Sequence, residues 1–317
     1  RSDTAFDFWL NHVSCPTAPN KIARAKKCWT PNSDGPKYVR DALTAYRHMV
    51  VHVNRQLDTT EPHLCEGTWR DIQFGKVPSK AMKTLRHAFA NKIVKGKDKG
   101  EMRSSHPDRV ECATNFARHL ELAVKDPSKA KIHGKNLQGG ELVREYVNNM
   151  GKGEDPVIEL QFQDIIRNLM ESGELNGEVP VCDTSGSMGG GEYGYARGGS
   201  SLDPIYTAIF LTAVISKINI PAFRNRYLTF STQPTWVSFS EDASLYKIVS
   251  MTYNNPNWQG STNFQAAQDM ILNALEENNV PKEFKVKMIV LSDMQFDSAN
   301  GSQYDQAHYK IVQKKYA

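Results

Sequence analysis

An all-helical domain followed by a mainly parallel, helix-covered sheet is the architecture this sequence predicts, and three observations predict it. Up to about residue 174 apolar residues recur every three or four positions, the period of a helix with one buried face. After Gly173, short aliphatic and β-branched runs alternate with helical stripes, the pattern of strand–helix–strand units. One of those runs, Val286–Leu291, is apolar without a break, as expected of a strand covered on both faces. The expected division is a basic helical domain, 1–174, and an α/β domain, 175–317.

In chain order, the first helix is expected over 37–57. Val39, Leu43, Tyr46, Val50, Val53 and Leu57 form its stripe, with Pro36 just ahead. Ser79 after Pro78 is a candidate N-cap, and Met82, Leu85, Phe89 and Ile93 follow as a second stripe. A third helix starts at Pro107, with Val110, Ala113, Phe116, Ala117, Leu120 and Val124 facing inward. Two more cover about 140–150 and 156–171. No repeat of fixed period is visible, although stacked helix pairs can build a helical repeat without one. In the second half the expected order is strand 178–182, helix 205–218, strands 226–230 and 235–239, helix 242–251, helix 264–278 and strand 286–291. Tyr304–Tyr316 could supply a further helix, and the sheet is expected to continue past Ala317. The chain begins at Arg1 and not Met, as a fragment or processed form does.

Composition narrows the class. Hydrophobic residues make up 39%, enough to build cores, and no stretch approaches the roughly 20 apolar residues of a membrane span. Five cysteines at irregular spacing (Cys15, Cys28, Cys65, Cys112, Cys182) argue against a disulfide framework and for reduced thiols in a cytoplasmic or nuclear setting. The net charge of +4 is unevenly spread. Residues 1–150 hold 26 Lys and Arg against 16 Asp and Glu, a balance of +10, and residues 151–317 hold 13 against 19, a balance of −6. Such a split suits two different partners, or the two parts for each other.

Three loops carry the chemical signal. Asp183-Thr184-Ser185-Gly186-Ser187-Met188 follows the first strand, Gly260-Ser261-Thr262-Asn263 precedes the last helix, and Ser292-Asp293-Met294 follows the continuous apolar strand. Carboxylates and hydroxyls are hard oxygen donors that suit Mg²⁺, Mn²⁺ or Ca²⁺ rather than zinc. Asp183, Ser185 and Ser187 alternate along a tight turn, so their side chains can converge on one point. The D-x-S-x-S, Thr and Asp set resembles the metal-ion-dependent adhesion site of the von Willebrand A domain. That resemblance implies a doubly wound sheet. It implies direct coordination by Ser185, Ser187 and Thr262, with Asp183 and Asp293 coordinating directly or through water. It also implies an open position for the carboxylate of a protein partner. The alternatives are a Ser/Gly turn that only caps the following helix and a metal that only holds the loops. The Gly-rich segment Gly189–Gly199 lacks G-K-[ST] and is read as an insertion beside the metal.

A wider resemblance rests on Thr68-Trp69-Arg70-Asp71-Ile72-Gln73-Phe74 with Val77–Met82, on Trp258, and on Ser292–Asp297. Together these are similar to domain-of-unknown-function family 2828, found in eukaryotes and large viruses and without an established activity. The layout of helical region plus A domain is more distantly similar to the TROVE/Ro ribonucleoproteins, whose helical ring binds RNA. Lys76, Lys80, Lys83, Arg86, Lys92, Lys95, Lys97 and Lys99 crowd one segment and are the candidate RNA contacts, against the plainer reading of a solvated helix face. Lys21, Arg24, Lys26 and Lys27 form a second basic group. His48, His52, His63 and Cys65 have partial zinc spacing without a completing pair.

The expected function is non-catalytic: a scaffold that uses the metal to engage an acidic group of a protein partner, with a basic helical module for RNA and no membrane contact. No nucleophile or general base stands at motif spacing, so an enzyme is not expected. The alternatives are a ribonucleoprotein component with a structural A domain and a minor structural protein of a virus particle.

Overall fold

The stripes of the first half form helices, but two stop short of the expected end, before Leu57 and Ile93, and not every stripe is buried. The computed structural model describes residues 34–173, 175, 177–185, 188, 204–230, 233–255, 264–278 and 286–293. The helices of the first half are α1 (Asp34–Gln56), α2 (Thr60–Glu66), α3 (Ser79–Phe89), α4 (Pro107–Lys125), α5 (Gly139–Asn148) and α6 (Pro156–Met170). Two 3₁₀ turns, Trp69–Asp71 and Phe74–Lys76, lie between α2 and α3. Helix α2 escapes the periodicity argument because its seven residues hold too few apolar positions to make a stripe; Gly67, at φ 75°, ends it. In α1, Val53 and Leu57 are exposed, Leu57 by 65%, so this end of the expected stripe covers no core among the described residues. In α4 the buried side is turned from the expected one: Asp108, Cys112, Phe116 and Ala123 are buried, while Val110 and Val124 face out.

The chain forms two compact units, one from residues up to Val77 with His87–Arg118, the other from Pro78–Arg86 with His119 onward. The first is held by aromatic packing. Phe74, Phe89 and Phe116 meet with ring centroids 4.9 to 5.6 Å apart, and Trp69 edges onto Phe89 at 6.4 Å. The buried Asp108 carboxylate accepts the backbone N–H groups of Trp69 and Arg70, which start a 3₁₀ turn, at 3.0 and 3.1 Å.

The second unit contains the sheet. Strands β1 (Glu178–Asp183), β2 (Arg226–Phe230), β3 (Trp236–Ser238) and β4 (Lys287–Leu291) lie in the order β3-β2-β1-β4. Strand β1 pairs in parallel with both β2 and β4, and β3 runs antiparallel to β2. Helices α7 (Pro204–Lys217), α8 (Leu245–Tyr253) and α9 (Phe264–Glu277) complete it. Alternation along the strands divides two cores. Cys182 and Tyr227 join residues of α5, α6, α7 and α8 on one side. Val179, Val181, Leu228 and Phe230 meet Ala267 and Ile271 of α9 on the other. Helices α5 and α6, which composition groups with the amino-terminal half, thus supply Leu142, Val143, Tyr146, Ile158 and Phe162 to the core over the sheet. The fold is of the mixed α and β class, and among the described residues no helix is long and apolar enough to cross a membrane.

The order of strands locates the place for a ligand. From β1 the chain adds β2 and β3 on one side, then returns to place β4 on the other. The reversal between β1 and β4 is a topological switch point, and in open α/β sheets ligands bind outside the carboxyl ends of the strands there.

Candidate metal centre

Strand β1 is buried along nearly its whole length and ends at Asp183, which is fully buried. The turn that follows is built by that carboxylate: Oδ1 accepts the backbone N–H of Ser185 at 2.8 Å, an aspartate turn closed two residues on. Thr184 anchors it to the neighbouring strand by donating its N–H to the Phe230 carbonyl at 3.2 Å. On the other side the register pairs Cys182 with Leu291, so the residues after β4 arrive beside Asp183. Ser292 donates its hydroxyl to Asp183 Oδ2 at 2.5 Å, and the Asp293 N–H points at the Met188 thioether, 3.1 Å away.

The structure therefore gathers Asp183, Ser185 and Asp293 at the switch point between β1 and β4. Ser187 and Thr262 lie outside the described residues, as do Gly189–Gly199 and Trp258. Ser292 and Met188 are additions to the expected set. Both stand in the quoted loops, but only the strand register puts the hydroxyl on Asp183 and the sulfur under the Asp293 amide.

The donor set fits a hard cation. Buried polar groups are normally paired or hydrogen-bonded. Among the described residues the bonds to Asp183 come from neutral donors, a backbone amide and a hydroxyl, and no Lys, Arg or His forms an ion pair with it. The Thr184 hydroxyl is buried, with no hydrogen-bond partner among the described residues. Burial pushes the Cys182 thiol up to about 12, with the neighbouring Asp183 adding to the effect, so it stays protonated in the core over the sheet. Two grooves elsewhere in this unit are lined by neither Asp183 nor Asp293. One lies between β3 and α8 (about 750 Å³), the other beside α6 (about 580 Å³).

The other candidates are placed as follows. His63 is engaged at both ring nitrogens, by Thr68 Oγ1 at 2.8 Å and Asp58 Oδ1 at 2.9 Å, and His52 meets Gln56 at 3.1 Å. Among the described residues no three His, Cys, Asp or Glu side chains gather as a metal-binding group. Cys65, Cys112 and Cys182 are free thiols. Of the eight basic residues, Lys83 and Arg86 are engaged by acidic side chains and are not exposed. Arg86 is buried between Glu145 and Asp155, its Nε 2.6 Å from Asp155 Oδ2, and Lys83 is 2.7 Å from Glu141 Oε2. Half-buried carboxylates hold these cations, because a buried charge needs a partner. Lys76 lies 3.8 Å from Asp58, Lys80 is exposed, and Lys92, Lys95, Lys97 and Lys99 are exposed beyond the end of α3.

Comparison with known proteins adds family resemblance without an activity. Residues 178–317 match the model of a domain of unknown function, DUF7788, whose first matched residue is the first residue of β1. The uncharacterized protein L728 of Acanthamoeba polyphaga mimivirus is 26% identical over 258 residues, covering 81% of this chain and 41% of the viral protein. The chain thus spans about two fifths of that relative's length. No solved structure matches.

Proposed function

We propose that the carboxyl ends of β1 and β4 hold a divalent cation and that the protein works by metal-assisted binding, not catalysis. The observation that carries this reading is the buried Asp183 carboxylate. It sits at the switch point, and among the described residues its hydrogen bonds come from neutral donors, one of them Ser292, which precedes Asp293. Asp183, Ser185, Ser187, Thr262 and Asp293 would hold Mg²⁺, Mn²⁺ or Ca²⁺, as in the von Willebrand A domain that these motifs resemble. A bound ion of this kind supplies an electrophilic centre for one more oxygen ligand. The partner of the site is then a protein bearing an exposed carboxylate. The chain's own residues place the donors, shield Asp183 from water and keep Cys182 protonated.

The basic helical half is the second part of the proposal, a contact for RNA. The observation in its favour is that the fold pairs off Lys83 and Arg86 yet leaves a group of neighbouring lysines exposed. A place in a virus particle is the alternative, supported by the mimivirus relative.

The test is thermal unfolding with and without Mg²⁺, Mn²⁺ or Ca²⁺ on the wild type, Asp183→Ala and Asp293→Asn. A ligand that binds only the folded state stabilises it by mass action, about 2.7 kcal/mol at a hundredfold excess over Kd. The wild type should gain stability with metal and lose it again with chelator. Neither variant should respond, whatever its starting Tm. An equal metal-induced shift in wild type and both variants would refute the site.

A further inference from the structure

In the sequence, Lys92 falls within the stripe that runs to Ile93, and Lys95, Lys97 and Lys99 fall in the short polar connection after it, with a solvated face as the plainer reading of the charge run. The structure gives this segment a fold of its own. Helix α3 stops at Phe89, and Asn91 takes a left-handed conformation at φ 53° that turns the chain out of it. Residues 91–103 then fold back on themselves. Ile93 donates its N–H to Glu101 O at 2.9 Å and Arg103 donates to Asn91 O at 2.7 Å, so Lys92 and Met102 sit opposite each other in an antiparallel bridge. The Asn91 side chain ties the base by donating to Ser104 O at 2.7 Å. The turn closes through Gly96 and Gly100, at φ 95° and 96°, conformations that favour glycine. The result is a short hydrogen-bonded finger on the first unit, with a Lys-Gly-Lys-Asp-Lys-Gly tip.

Its charge is the second observation. Lys92, Lys95, Lys97, Lys99 and Arg103 are all exposed. Among the described residues none of the five is in an ion pair, whereas Lys76, Lys83, Arg86, Lys129 and Lys287 all are. Exposed lysines without an ion pair occur elsewhere too, as at Lys80, Lys125 and Lys131, but here five such cations share one ordered projection of thirteen residues, within which Asp98 and Glu101 are the acidic side chains. The field of Arg103 is felt by the next cation along. Arg109, stacked 3.4 Å over the Trp69 ring, has its pKa lowered by burial and by the Arg103 charge.

We propose that the 91–103 finger is the polyanion contact of this protein and that its ligand is the phosphate backbone of RNA. This rests on the RNA half of the proposed function and narrows it from eight scattered basic residues to one element, adding Arg103. Lysine ammonium groups act as point charges on phosphate and carry no base code, and the finger offers no aromatic side chain for stacking. Binding is therefore sequence-independent and strongly salt-dependent.

The experiment is a salt titration of binding to a uridylate homopolymer by the full chain and by the triple variant Lys95→Ala, Lys97→Ala, Lys99→Ala. All three side chains are exposed, so the variant should keep the wild-type Tm and circular dichroism. Each phosphate contact on a single strand contributes roughly 0.7 to the slope of log K against log salt, so the triple variant should lose about 2 from that slope. Lys129→Ala, which removes an exposed but ion-paired lysine, should leave the slope unchanged. No binding by the wild type would sink the RNA reading itself. Wild-type binding with an unaltered slope in the triple variant would leave that reading standing and overturn the finger. Lysine-dependent binding to phosphatidylserine vesicles with none to RNA would overturn the proposed ligand.

Discussion

Replacing Arg86 with alanine should be among the more damaging single changes in the second unit, and the structure sets the size. Arg86 lies on α3 with its side chain 8% exposed. Its guanidinium bonds Glu145 on α5, Asp155 at the start of α6 and the Lys83 carbonyl of its own helix. Burial acts to lower its pKa, yet the two carboxylates outweigh it and raise the pKa further, so the group is charged at every accessible pH. Truncation leaves two carboxylates facing each other without a cation. Breaking a buried pair in this way costs about 3–5 kcal/mol. The lower end applies here, because the Glu145 and Asp155 side chains keep 26% and 22% of their exposure and water can reach them. About 3 kcal/mol corresponds to a Tm lowered by roughly 6–12 °C for a unit of this size. Asp155 also has a second duty: Oδ1 caps α6 by accepting the N–H of Val157 at 3.0 Å and of Ile158 at 3.4 Å. The informative companion is therefore Arg86→Met with Glu145→Gln, which removes charge on both sides, leaves the cap, and should recover much of the loss. Thermal and urea unfolding measure both. A loss under about 1 kcal/mol for Arg86→Ala is the worth of an exposed pair and would refute the reasoning.

Two further outcomes are expected. Burial holds the Glu159 carboxyl above its ordinary value of 4.5 even though Tyr146 Oη and the N–H groups of Leu245 and Tyr246 donate to it. The folded protein thus keeps this proton longer than the unfolded chain. The contribution is complete below about pH 4.5 and is lost as pH rises through the folded-state value. Wild-type Tm relative to Glu159→Gln should therefore fall as pH rises above 4.5, and a pH-independent difference would show the group to be unshifted. Gly134→Ala should destabilise by about 1–3 kcal/mol, since the added Cβ would come within 2.1 Å of the Gln161 backbone carbonyl in α6, which cannot swing aside. An unchanged urea midpoint would mean that the approach is looser than described.

Much of the scaffold was legible because it depends on local periods. The expected strand at 226–230 matches the observed one, and the helices from Pro107, Pro156 and Phe264 begin where Pro or a new stripe begins. The placement of Asp183 at the end of β1, of Ser185 just after it and of Asp293 after β4 was also legible, since it depends only on where the strands end. A period, however, describes one helix at a time. The stripe over α4 pointed to Val110, Phe116 and Val124; Phe116 is buried against Phe74 and Phe89, but the buried side continues through Asp108, Cys112 and Ala123, so both valines face out. The stripe from Met82 ran on to Ile93, but Asn91 leaves the helix and sends the lysines onto a finger.

By itself, the sequence determined the order of helices and strands, the uneven charge and the oxygen-rich loops, because each follows from residue type and spacing along the chain. The tertiary structure alone decided which carboxylates and cations meet. Asp183 lies beside Ser292 because two parallel strands 109 residues apart pair in one register. Arg86 is buried while Lys95 is exposed because Glu145 and Asp155 come from helices 59 and 69 residues away. Coulomb and hydrogen-bond energies fall off over a few ångströms of space, and a sequence records distance only along the chain.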